Sequence, residues 1–285
     1  MSVGTRGFAP FVDGLDHPEG VAWGPDGHVY AGGEAGQIYR VGLGGDLAQI
    51  ADTGGFILGL CLDGDANVYA CDLGERDVKL ISPDGDISVY SSGTAERAMV
   101  NPNWPVFDAH GTLYVSDSGM WGDDDGCVFA IDPAGRTTVL RDDVRAFPNG
   151  MALSQDGAWL YIIETRAQRV VRVPLPVGGD GDGAPEVVVE MPERVVPDGL
   201  AFDRDGGLLI ACYSPDVIFR RAPTGGTLDV LAEDWERLVL AAPTNVSFCG
   251  PELDTLVVAS LGRWHLSQAR VDVPGAPLNY PRRSA

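Results

Sequence analysis

One pattern returns six times along this chain, and it limits the folds the chain can adopt. A short apolar run leads into a Gly, Asp or Pro turn, and a second run rich in Tyr, Val, Leu and Ile follows. The copies read "PEGVAWGPDGHVYAG" (18–32), "ILGLCLDGDANVYAC" (57–71), "PNWPVFDAHGTLYVS" (102–116), "PNGMALSQDGAWLYII" (148–163), "PDGLAFDRDGGLLIA" (197–211) and "PTNVSFCGPELDTLVVA" (243–259). Each is a β-hairpin signature. The turn positions Gly27, Ala66, Gly111, Gly157 and Gly206 follow one another at 39, 45, 46 and 49 residues, which is the spacing of four-stranded propeller blades.

Between the copies lie further strand-like runs. "GQIYRV" (36–41), "DVKLIS" (77–82), "CVFAID" (127–132) and "QRVVRV" (168–173) suit the third strand of a blade, and "LAQIAD" and "ISVYSS" suit the fourth. No segment carries a sustained helical period with caps. The expectation is an all-β, six-bladed β-propeller of four-stranded antiparallel blades around a central channel, forming a single domain over 1–285. The segment from Phe8 to Val12 is expected to close the ring by adding to the last blade. The Gly/Pro/Asp-rich stretch 174–186 reads as a solvent loop between outer strands.

Composition narrows the function classes. Hydrophobic residues at 45% against 21% charged mark a globular chain. A formal net charge of -21 argues against a nucleic-acid partner, because backbone recognition needs a basic face. The five cysteines lie apart and form no CxxC pair, so neither a disulfide framework nor a zinc ribbon is indicated. With no apolar leader and no run of membrane-spanning length, a cytoplasmic protein without a membrane partner is expected, either a monomer or a homo-oligomer.

The repeat also exposes a position that breaks the hydrophobic pattern. Eight residues before the turn stand Glu19, Leu58, Asn103, Asn149 and Asp198 in blades 1 to 5. Four of these carry side-chain oxygens, and each of the four follows a proline: Pro18, Pro102, Pro148 and Pro197. The sixth copy has Pro243 followed by Thr244 and Asn245, and with Leu58 it leaves part of the set without a strong ligand. In a propeller the strand that begins each blade lines the channel, so a shared offset means convergence near the axis. Two carboxylates and two carboxamides, with no His or thiolate, suit one hard divalent cation. Ca2+ is favoured, with Mg2+, Mn2+ or Zn2+ as alternatives. Taken one at a time, such residues also make local turn hydrogen bonds.

These residues carry a resemblance. The Glu of "PEG", the Asn of "NWPVFD", the Asn of "PNGMALSQDG" and the Asp of "PDGLAFD" resemble the senescence marker protein / gluconolactonase / luciferin-regenerating-enzyme family across nearly the whole chain. The resemblance implies a catalytic divalent metal on Glu19, Asn103, Asn149 and Asp198, and metal-dependent lactone hydrolysis of a small-molecule substrate. It points to Asp198 as base or nucleophile, to Glu19 as a structural ligand, and to Asn103 and Asn149 as orienting metal and substrate.

There is a departure from the family. Its sugar-lactone members have Arg two residues before the metal Asn and Asp just after it, where this chain has Asn101 and Trp104. A more apolar substrate is therefore expected, with Trp104, Phe56, Met120, Trp121 and Phe147 as pocket walls, or else as packing between blades. His265 is a candidate proton shuttle at the channel mouth. His17 stands beside Glu19, while His28 and His110 are expected in turns. Asp117 and Glu164 are lower-ranked candidates for the pocket, and "GDDDG" (122–126) reads as an exposed loop without EF-hand spacing. No GxSxG segment supports a serine nucleophile. A phosphotriester hydrolase, a biosynthetic ring-opening or rearranging enzyme, and a non-catalytic ligand-binding propeller remain alternatives.

Overall fold

The computed structural model describes Thr5, residues 7–175 and residues 183–282. Most of the connection expected at 174–186 therefore lies outside the described residues. Strand β1 (Ala9–Asp13) precedes the first blade, which holds β2 (Val21–Trp23), β3 (Val29–Gly32), β4 (Gln37–Val41) and β5 (Leu47–Asp52). Blade 2 holds β6 (Ile57–Leu62), β7 (Val68–Asp72), β8 (Asp77–Ile81) and β9 (Ile87–Ser91), and blade 3 holds β10 (Pro102–Phe107), β11 (Leu113–Asp117), β12 (Cys127–Ile131) and β13 (Thr137–Arg141). Blade 4 is β14 (Pro148–Leu153), β15 (Trp159–Glu164), β16 (Arg169–Pro174) and β17 (Glu186–Glu190). Blade 5 is β18 (Val196–Phe202), β19 (Leu208–Ser214), β20 (Asp216–Arg221) and β21 (Leu228–Glu233). Blade 6 is β22 (Pro243–Cys249), β23 (Thr255–Ser260) and β24 (His265–Arg270), with β1 as its outer strand.

All six sheets are antiparallel and ordered from the inside outward, so the fold is the six-bladed propeller read from the repeats. Ala9 pairs with Gln268 and Asp13 with His265, so the N-terminal segment closes the ring as expected. Burial follows position in the blade. The second strands β7 and β11 are buried at every residue because a neighbouring blade covers each face, whereas β9 near the rim is largely exposed. Apolar clusters fill the seams between blades. One joins Val12, Val257 and Leu266 of blade 6 to Val21 and Val29 of blade 1.

The turns explain the glycine register. Gly27, Ala66, Gly111, Gly157 and Gly206 all have φ between 61° and 89°, the left-handed region where a side chain is costly. Each donates its N–H to the carbonyl three residues back. In blade 6 this position is Leu253, at φ 54° and bonded to the Gly250 carbonyl. Much of the acidic composition serves these turns. Asp63, Asp108 and Asp203 each accept two backbone N–H groups across the turn, and Asp132 does the same in an outer hairpin. The four buried cysteines and the half-buried Cys61 are all free.

At the channel-mouth end the innermost strands nearly touch. A Cβ on Gly20 would lie 2.1 Å from the Leu58 carbonyl oxygen, and one on Gly59 2.6 Å from that of Asn103. A Cβ on Gly150 would lie 2.3 Å from the Asp198 carbonyl oxygen, and one on Gly199 2.4 Å from that of Thr244. Two hydroxyls complete the circle: Ser116 Oγ donates to the Asn149 carbonyl at 2.8 Å, and Thr244 Oγ1 to that of Glu19 at 2.9 Å.

The opposite end of the channel is covered by the C-terminal segment. Asn279 donates to the Phe107 carbonyl, Tyr280 Oη to that of Trp23 at 2.6 Å, and Gly64 N–H to that of Pro281. Between this strap and the mouth lies an apolar cavity of about 190 Å³, walled by residues such as Val21, Leu60, Met151 and Leu200.

The close approach at Gly150 yields a stability prediction. Gly150→Ala should destabilise by about 1–3 kcal/mol through forced overpacking, lowering the thermal midpoint. Gly122→Ala, where nothing lies within 4 Å of an added Cβ, should leave the midpoint nearly unchanged.

Candidate metal centre

The glycine contacts bring the odd positions together at one mouth. Glu19, Leu58, Asn103, Asn149 and Asp198 each begin or immediately precede an innermost strand, and each glycine that follows one presses on the next blade's equivalent residue. Asn103 and Asn149 are buried, and Glu19 and Asp198 half-buried. The Asn103 amide donates to Ser118 Oγ at 3.0 Å, which leaves its Oδ1 free for another partner. The Oδ1 of Asn149 is buried and unpartnered.

The electrostatics are unfavourable for two bare acids. Among the described residues no Lys, Arg or His pairs with Glu19 or Asp198. Loss of water at the channel raises the Glu19 pKa to about 7, with repulsion from Glu34 adding to the rise. The same loss of water holds Asp198 well above the ordinary carboxyl range; Glu19 adds to this and the Asn149 side chain partly offsets it. A buried carboxamide oxygen without a donor and two carboxylates without a counter-charge suit a hard divalent cation, and the donor set is all oxygen.

Around this group the other expected residues are distributed unevenly. Trp121 and Phe147 stack edge to face at 4.8 Å on the mouth side, with Trp121 and Met120 largely exposed. Phe56 is half-buried, two residues before Leu58. Trp104 turns inward: it lines the axial cavity, and its indole edge would lie 3.2 Å from a Cβ on Gly199 in blade 5. It therefore walls the chamber beneath the ring of oxygens.

His265 stands at the head of β24, two strands out from the axis, with Nε2 3.1 Å from the Val239 carbonyl, so it does not join the group. His28 sits in a turn with Nδ1 3.1 Å from the Asp26 carbonyl, and His110 is exposed.

Asp117 and Glu164 are structural and do not enter the pocket. Asp117 accepts N–H groups from Val100, Asn101 and Gly119, and Glu164 accepts those of Arg145 and Ala146 and pairs with Arg169. The 122–126 loop is exposed up to Gly126 and is held by Arg166 on Asp123 and Asp124 and by Arg97 on the Asp125 carbonyl. Asp16, His17 and Glu34 also cluster near the mouth. Trp264 donates to His17 Nε2 at 2.6 Å, and Nδ1 faces Asp16 at 3.1 Å, so both ring nitrogens are already engaged.

Tyr213 at the mouth escaped the sequence, and Asn245 was read there only beside Thr244, without its register. The Tyr213 phenol, on β19, has its pKa pushed up to about 12 by burial and then by the Asp198 and Glu19 charges, which places it within their field. No repeat position marks it. Asn245 lies eight residues before Leu253, at the same offset as the other ring residues, and is 1% exposed. It was hidden because its turn residue is a leucine where other blades have glycine or alanine.

The fold agrees with what comparison finds. Residues 35–262 match the SMP-30/Gluconolactonase/LRE-like region, and the chain belongs to that family. Residues 12–41 also match the strictosidine synthase-like N-terminal region. A 6-deoxy-6-sulfogluconolactonase of Pseudomonas putida is 32% identical over 249 residues, covering 79% of this chain and 76% of that one. A pentonolactonase of Haloferax volcanii is 30% identical over 138 residues, covering 48% and 45%. The structure of a calcium-binding protein, regucalcin, from Agrobacterium tumefaciens superposes with a TM-score of 0.76 over 98% of both chains at 18% identity, a likeness of fold.

The raised acids give a pH prediction. The folded apoprotein holds these protons more tightly than the unfolded chain does, so their contribution to stability is present at low pH and is lost as pH rises from the ordinary carboxyl range through about 7. A cation at these oxygens would need the ionised pair, so its affinity would move the opposite way. Chelated protein should melt lower at pH 8 than at pH 5, and calcium should bind more tightly at pH 8 than at pH 5.5, as read by thermal scans and calorimetric titration.

Proposed function

We propose that the chain is a metal-dependent lactonase, opening a lactone ring of a small molecule that is less sugar-like than gluconolactone. The observation that carries the reading is the set Glu19, Asn103, Asn149 and Asp198, convergent at one mouth with two carboxylates that have no counter-charge. The names of the two curated relatives, both lactonases, supply the reaction class. A regucalcin described as calcium-binding shares the fold and supports calcium as the ion.

Held by Glu19, Asn103, Asn149 and Asp198, a divalent ion would supply Lewis-acid polarisation of the lactone carbonyl and cancel the charge of the two acids. Glu19 holds the ion and keeps its charge throughout. Asn103 and Asn149 orient ion and substrate through their carboxamide oxygens, with the amide of Asn103 fixed by Ser118. Asp198, ionised once the ion offsets its repulsion from Glu19, takes a proton from the attacking water. The water oxygen bonds to the carbonyl carbon, the ring C–O bond breaks, and Asp198 passes the proton it took to the departing ring oxygen, giving the hydroxy acid. Trp121 and Phe147 offer an apolar edge to a ring substituent, and Asn101 offers no charge to a sugar hydroxyl.

Proton release should be followed across aldonolactones and alkyl and aryl γ- and δ-lactones. Turnover is expected to vanish with a chelator, return with calcium and favour the apolar members. Asp198→Asn should lower kcat by at least about a hundredfold, the low end for a general base, with the far-ultraviolet spectrum unchanged. Turnover that persists after exhaustive chelation would sink the metal mechanism.

A further inference from the structure

We propose that Asn245 is a further protein ligand of the cation, so that five of the six innermost strands each contribute one side-chain oxygen and blade 2, at Leu58, leaves the gap. The inference rests on the metal-centre reading above and extends it to a residue outside the set Glu19, Asn103, Asn149 and Asp198.

Three observations converge on Asn245. It stands eight residues before the left-handed turn residue of its blade, the offset shared by every other ring residue. It is 1% exposed and lines the axial cavity. Its Oδ1 is buried with no hydrogen-bond partner, the same state as the Oδ1 of Asn149. A buried acceptor left unmatched is costly enough that native structures nearly always fill it.

Its neighbours are the two acids. A Cβ on Gly199, the residue after Asp198, would lie 3.0 Å from the Asn245 Cα, and the adjacent Thr244 holds the Glu19 carbonyl through Oγ1 at 2.9 Å. Asn245 is thus interposed between the Asp198 and Glu19 strands, on the acidic side of the ring. A neutral carboxamide oxygen is a normal ligand for calcium, which takes six to eight oxygens. It adds a donor between two carboxylates without adding a third negative charge. Leu58 brings no side-chain oxygen to its sector of the ring, so that sector would be left to water or a substrate carbonyl.

The test measures calcium affinity by chelator competition, together with the calcium-induced rise in thermal midpoint, on wild type, Asn245→Leu and Asn245→Asp. Asn245→Leu keeps the volume and removes the oxygen. It should weaken calcium by at least about tenfold, since even partners outside the ligand set cost that much, and shrink the calcium-induced rise. Asn245→Asp keeps an oxygen and adds a charge, and should bind calcium more tightly than wild type. Affinities within twofold of wild type for either folded variant would overturn the assignment while leaving the four-residue centre standing. A wild-type protein that takes up no divalent cation would overturn both.

Discussion

Two acids, Glu19 and Asp198, belong to different blades, share one channel mouth and among the described residues pair with no cationic side chain. A chain of net charge -21 has ample opportunity to leave acids in water, and most of its acids are either exposed or bonded to turn amides. These two are instead held where desolvation raises both pKa values and each raises the other's cost. Such a pair is stable only if protonated or if an ion cancels it. The burial, the carboxamide oxygens beside it and the absence of any competing base pair all make sense on the second condition.

That arrangement depends on how closely the blades approach. Gly20, Gly59, Gly150 and Gly199 allow the next strand's carbonyl to lie where a Cβ would stand. With side chains at those points the ring would widen, and the oxygens would draw apart. Blade 3 has no glycine after Asn103, and Trp104 takes that place. Its indole spans toward Gly199 and fills the space below. Close approach is therefore kept in blade 3 by Ser116, which accepts the Trp104 N–H and donates to the Asn149 carbonyl.

The sequence made the fold readable because each blade turn demands a left-handed residue, and glycine announces that demand in four of six blades. Ala66 was still recognisable by its flanking pattern. Leu253 was not, since a leucine at φ 54° has no sequence signature, and without it Asn245 had no register. The placement of Asp117 and Glu164 went wrong for a related reason. Position at the end of a second strand suggested exposure to the pocket, but loop amides arriving from the preceding blade connection take up both carboxylates. His265 illustrates the limit of reading along one strand: its distance from the axis depends on β24 being third in the blade. Tyr213 feels the charges of Asp198 and Glu19 through space, a relation no linear pattern records.

The two ends of the channel are chemically unequal, and this fixes the direction from which a substrate reaches the ring. At the turn end, Ala276 to Tyr280 close the cavity and tie blades 1, 3 and 5 through Trp23, Phe107 and Phe202. The chamber above that strap is apolar, and Trp104 stands in its wall. The mouth, beside Trp121 and Phe147, is the end of the channel that the strap leaves uncovered, and on the reading proposed above it is the way in for a substrate. Leu58 is the sector of the ring that offers no oxygen and no charge. On the lactonase reading proposed above, a substrate carbonyl would enter at that sector, with its ring substituent toward the Trp121–Phe147 edge.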